Sequence, residues 1–105
     1  MSNYQVIWTD FALKELKSIY AYISEKAKSE IPANNVIGRI LNKVDTLVHS
    51  PKAFQEEPFL KENQIEARYI IMGRYKVIYQ IQETKVYITD VFNCSQHPSK
   101  MKKVK

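Results

Sequence analysis

Residues 91–101 read VFNCSQHPSKM: an apolar, strand-like run stops at Asn93 and gives way to a thiol, an imidazole, a proline and lysines. Cys94 and His97 are the residue types of a metal site or of a nucleophile and its base. His49 is the only other histidine and Cys94 is the only cysteine. Three or four convergent ligands are therefore missing, and no metal is expected. As a nucleophile Cys94 has no base in view except His97. No glycine-rich loop exists to cradle a phosphate, and the acids fall mostly on helices and on a loop near residues 56–66. No cofactor is expected. What remains is cationic and aromatic: Arg68, Arg74, Lys76, Lys85, Tyr69, Tyr87 and His97. A metal-independent ribonuclease needs such groups, to take the 2′-hydroxyl proton, hold the crowded phosphate and protonate the leaving oxygen, with aromatics to stack on bases. The plain alternative is that they are the outward residues of a half-exposed antiparallel sheet.

Charge is unevenly placed around this set. Residues 1–66 carry eight Lys/Arg against nine Asp/Glu, whereas residues 67–105 carry eight against two. A basic final third on a nearly neutral body suits an anionic partner, nucleic acid or an acidic protein segment, although solubility alone would also account for it. A chain of 105 residues is expected to form one domain, here 1–105 with a basic tail at about 99–105, and is long enough for a real core. No run of apolar residues is long enough to span a membrane and no secretory leader is recognisable, so a cytoplasmic protein with no membrane partner is expected; a lone cysteine fits a reducing compartment.

The elements that must position these groups follow from periodicity. YQVIW reads as a strand, with Thr9 as N-cap and Asp10 in the first turn of a helix. Ala12, Leu16, Ile19, Tyr20, Ile23 and Ala27 form its apolar face. Pro32 suits the start of a second helix, whose stripe is Ala33, Val36, Ile37, Ile40, Leu41, Val44, Leu47 and Val48. Residues 52–64 have no period and read as a loop pinned by Phe54, Phe59 and Leu60. Three strands follow, EARYIIM, YKVIYQIQ and KVYITDVF, joined at Gly73-Arg74 and Glu83-Thr84. Two-residue turns pair Gln82 with Lys85 and Tyr79 with Ile88. One face then carries Tyr75, Val77, Tyr79, Ile81, Val86, Ile88 and Phe92 toward the helices. The other carries Lys76, Ile78, Gln80, Gln82, Lys85, Tyr87 and Thr89 toward water or a partner. This register puts Asp90 on the apolar face, so it needs either a bulge or a buried partner. The fold class expected is α+β, in the order β-α-α-β-β-β, with a helical hairpin on one face of a small antiparallel sheet.

The stretches YQVIWTDFALKELKSIYAYI, ARYIIMGRYKVIYQI and VYITDVFNCSQHP, with Ser50-Pro51 after the second helix, resemble the RelE/ParE superfamily of bacterial type II toxins from Tyr4 to about Lys102. The most specific points are Trp8-Thr9, Arg68, Tyr75-x-Val77-x-Tyr79 and Gln96-x-Pro98. The resemblance implies a toxin with a cognate antitoxin as partner, in a toxin–antitoxin hetero-oligomer. ParE-like members are described as DNA gyrase poisons, and RelE-like members as endoribonucleases that cut messenger RNA in the ribosome. RelE-like enzymes carry a basic residue where Lys76 stands, an arginine after the last strand and a C-terminal tyrosine. Here Ser95, Gln96 and His97 follow that strand, and no tyrosine follows Tyr87. The ParE-like reading is preferred, with Arg68, Arg74, Lys76, Lys85, Tyr87, His97, Lys100, Lys102 and Lys103 as the target-binding set. A ribonuclease would instead use Arg68, Lys76 and His97. A third reading is an inactive member that only binds antitoxin and represses its own operon. The lysine tail, placed after Pro98, is expected to be mobile when free.

Overall fold

The computed structural model describes residues 3–103. Strand β1 (Gln5–Trp8) leads into helix α1 (Asp10–Ala27), which turns back through helix α2 (Ile31–Asp45). A short helix α3 (Pro58–Glu62) precedes strands β2 (Arg68–Met72), β3 (Tyr75–Gln82) and β4 (Lys85–Asn93). The sheet order is β1-β4-β3-β2. The last three strands form the expected antiparallel meander, while β1 lies parallel to β4, making the sheet mixed and the fold α+β. Among the described residues no helix is long and apolar enough to cross a membrane.

Thr9 shows how sequence becomes geometry at the first junction. Its extended backbone ends β1, and its hydroxyl oxygen accepts the Ala12 N–H at 3.2 Å. The same hydroxyl donates to the Ile88 carbonyl at 2.7 Å, so one side chain both caps α1 and ties it to β4. Lys28, at φ 53°, closes α1 in the left-handed conformation, and the Tyr20 hydroxyl donates to Glu30 across the helical hairpin. The hairpin packs on the sheet through Ala12, Leu16, Ile40 and Val44, joined by Leu47 in the turn after α2, against Ile70, Tyr75, Val77, Tyr79, Val86 and Ile88. Leu41, placed on this stripe by its spacing, is exposed.

The strand register explains Asp90. Gln82 faces Lys85 and Tyr79 faces Ile88, as the two-residue turns predict. Ile78 then faces Asp90, so Thr89 is an extra residue and β4 bulges there. The bulge inverts which side chains face the helices. Val91 joins the helix-facing core in place of Phe92, which turns to the opposite face. The expectation that Phe92 faces the helices is thereby corrected.

The outer face is also not the open surface that its polar residues imply. Ile78 and Phe92 are buried there with Leu60, Ile65, Ala67 and Met101 in a second, smaller core. Residues 58–62, expected to lie in a loop, form α3, which Pro58 starts and Glu57 caps by accepting the Phe59 N–H at 2.6 Å. Met101 closes the other side at 5% exposure, so the C-terminal segment is a packed strap instead of a mobile tail. Burying a methionine of this kind contributes about 2 kcal/mol. Lys105, counted with the tail, lies outside the described residues.

Candidate functional site

Arg68 and Lys76 are brought close in sequence order but not onto one surface. Arg68 opens β2 opposite Tyr79, on the helix-facing side, and its Nη1 donates to the Phe54 carbonyl at 2.5 Å. The Tyr79 hydroxyl beside it donates to the Pro51 carbonyl at 2.6 Å. Burial pushes the Tyr79 phenol up to about 12, against the opposing effect of the Arg68 charge. Lys76 lies on the outer face, opposite Ile71. Its ammonium contacts Glu57 Oε1 at 2.5 Å and lies 4.4 Å from the centre of the Tyr69 ring. The Glu57 side chain is only 1% exposed, so Lys76 neutralises a carboxylate that water does not reach.

The remaining predicted residues divide between the two ends of the sheet. Lys85 is exposed at the start of β4, with Tyr87 half-buried two residues on. The length of β4 puts Lys85 roughly 26 Å from Asn93. At the far end, the Cys94 amide donates to the Arg74 carbonyl at 2.8 Å, setting the exposed Arg74 beside the strand terminus. His97 is exposed, caps the turn Pro98–Lys100 and meets the Ser99 hydroxyl through Nδ1 at 2.9 Å. Lys100 is exposed on that turn. The Lys102 ammonium lies 4.8 Å from the centre of the Phe11 ring, and that of Lys103 lies 5.4 Å from the Phe59 ring. Arg74, His97, Lys100, Lys102 and Lys103 thus lie toward the end of β4 and in the segment that follows it, with Lys102 over the α1 side and Lys103 over the α3 side. Lys85 and Tyr87 do not join them.

A cleft of about 690 Å³ opens at this end between α1 and the termini of β3 and β4. Phe11, Lys14, Glu15, Ser18, Ile19 and Tyr22 form one wall; Arg74, Tyr75, Val91, Asn93, Ser95 and Gln96 form the other. Phe11 is 38% exposed and Tyr22 is 59% exposed, so the cleft presents aromatic surface beside the basic cluster. Sequence reasoning missed this wall. Phe11, Glu15, Ser18 and Tyr22 are spaced four, three and four apart, a second helical stripe beside the core stripe and the signal that would have found it. Glu57 was missed as well, since nothing in its local sequence places it under Lys76. Among the described residues no three His, Cys, Asp or Glu side chains gather so as to hold a metal ion.

Comparison with known proteins agrees with this architecture. The family described as "ParE toxin of type II toxin-antitoxin system, parDE" matches residues 6–98. No curated protein matches the chain significantly. Among solved structures, a chain of the chromosomal ParDE TA system from P. aeruginosa is similar with a TM-score of 0.71 and 14% sequence identity, over 86% of this chain and 95% of that one. At that identity the likeness is one of fold.

Proposed function

The chain belongs to the ParE toxin family of type II toxin–antitoxin systems, and from that premise we propose that it acts by binding DNA gyrase, with no nuclease chemistry of its own. A cognate antitoxin neutralises it in a hetero-oligomer, and both act in the cytoplasm.

One observation carries the choice between targets. The two cations that a RelE-like ribonuclease would use sit on opposite faces of the sheet, and each is engaged by its own protein partner. Stabilising a crowded phosphate needs donors converging on one point. Arg68 and Lys76 have no common point outside the sheet between them. The outer face, where a message would lie across Lys76, is covered by α3 and Met101. His97 is remote from neither strap nor cleft, but it lacks a second cation from the nuclease set. The exposed basic cluster of Arg74, His97, Lys100, Lys102 and Lys103 suits an anionic surface such as a gyrase–DNA complex or an acidic antitoxin segment.

Induction of the chain in a bacterial host should arrest growth, and co-expression of the antitoxin encoded beside it should relieve the arrest. Messages from the arrested cells should lack cuts at codon-specific positions. Such cuts would establish the RelE-like alternative. Soluble, folded protein that leaves growth unchanged would favour an inactive member that serves only to bind antitoxin.

A further inference from the structure

We propose that Glu15 and Asp90 share a single proton, and that this acid pair is the clasp fastening α1 and the C-terminal strap to the end of β4. The proposal holds whatever the toxin's target.

The clasp exists because β1 stops short. Beyond Trp8, β4 loses its parallel neighbour, and the Val91 N–H faces away from β3. Glu15, one turn into α1, accepts that N–H through Oε1 at 2.6 Å. The bulge next to Val91 puts Asp90 on the outer face opposite Ile78, where it is 1% exposed. Its Oδ2 accepts the Lys102 amide at 2.8 Å, which holds the strap. Its Oδ1 is buried and finds no N–H or O–H donor among the described residues. The carboxyl beside it is that of Glu15, which holds the amide of the residue adjoining Asp90.

Two ionised carboxylates have only acceptors and cannot hydrogen-bond to each other. One proton turns the contact into a donor and an acceptor, and satisfies the buried oxygen. Among the described residues no cation does this instead. Lys14, on α1 itself, and Arg74, on the opposite wall, border the cleft without an ion pair to either acid. The Lys102 ammonium is over Phe11, and Lys76 of β3 is paired with Glu57. Burial pushes the Glu15 carboxyl up to about 9; the hydrogen bond and charge of Asp90 push the same way, and the Val91 amide opposes them.

The sign of the pH dependence follows. The folded chain holds a proton that an unfolded Glu, ordinarily at 4.5, has released. The clasp's contribution is complete below that value and is lost as pH rises through about 9. Across this window one extra bound proton makes the unfolding equilibrium constant rise about tenfold per pH unit.

Urea unfolding of the full chain from pH 5 to pH 10 tests this against Glu15→Gln. The amide reproduces the protonated acid, accepting from Val91 and donating to Asp90. Glu15→Gln should match the parent at the acid end, exceed it at neutral and alkaline pH, and remove this tenfold-per-unit component. Asp90→Asn should do the same, donating to Glu15 while still accepting from Lys102. Exchange of the Lys102 amide should accelerate with pH beyond its intrinsic rate in the parent, and only at the intrinsic rate in Glu15→Gln. Parallel stability profiles for parent and either folded amide variant would overturn the proposal, as would failure of both to fold. Stabilisation of the parent by millimolar magnesium or calcium, absent in Glu15→Gln, would identify a cation in place of the proton and also overturn it.

Discussion

Lys76 occupies the position of a nuclease cation, yet its surroundings give it a different task. Glu57 is buried because it caps α3, and its charge is tolerable there only with the Lys76 ammonium at 2.5 Å. Replacing Lys76 by methionine keeps the stem and strands the carboxylate. The expected loss of stability is about 3 kcal/mol, read as a lower urea midpoint. Adding Glu57→Gln should recover most of it, since the buried charge is then gone. An unchanged midpoint in Lys76→Met would show that the pair contributes nothing to folding. Residue types alone made Lys76 legible as a cation on the outer face of β3, and that placement is correct. Its partner was not legible, because Glu57 reaches it from 19 positions away through a chain reversal.

The helices and strands with a long, uniform period were legible as elements: α1, α2, the two hairpin turns and the pairing of Tyr79 with Ile88. Of three smaller devices, two were not, and the bulge was legible only as one of two ways to place Asp90. Helix α3 has five residues, too few to display a period. The bulge at Thr89 adds one residue and exchanges the faces of everything after it, so Val91 and Phe92 trade places. The strap is held by the single apolar side chain of Met101 amid lysines, and composition alone reads as a solvated tail. The strap therefore has two separable parts. Met101→Ala should cost about 2–4 kcal/mol, as other truncations of buried large side chains do. Alanines at Lys100, Lys102 and Lys103 together should leave the melting temperature nearly unchanged, because exposed cation–aromatic contacts are worth about 0.5–1 kcal/mol at most. The triple variant should weaken binding to the target or the antitoxin and flatten its salt dependence. Thermal melts alongside binding measured over a salt series check both halves; a triple variant that melts early with binding per folded molecule intact would return the lysines to the fold.

At the scale of the whole molecule, the basic final third becomes a basic end. Arg74 lines the aromatic cleft, His97 and the strap lysines follow the end of β4, and Lys85 stands at that strand's other end. Family membership and fold agree with the resemblance read from Trp8-Thr9, the Arg68 strand and the Tyr75-x-Val77-x-Tyr79 strand. The target is not written in those stretches, because they serve the core: Tyr79 holds the Pro51 carbonyl, Arg68 holds that of Phe54, and Thr9 caps α1. The measurement that bears most directly on the target is the supercoiling of relaxed plasmid by gyrase and ATP in the presence of purified, folded protein. A gyrase-directed toxin should give a dose-dependent loss of supercoiling or trapped cleaved DNA, reversed by the antitoxin. Undiminished supercoiling at a large molar excess of the protein would contradict that target.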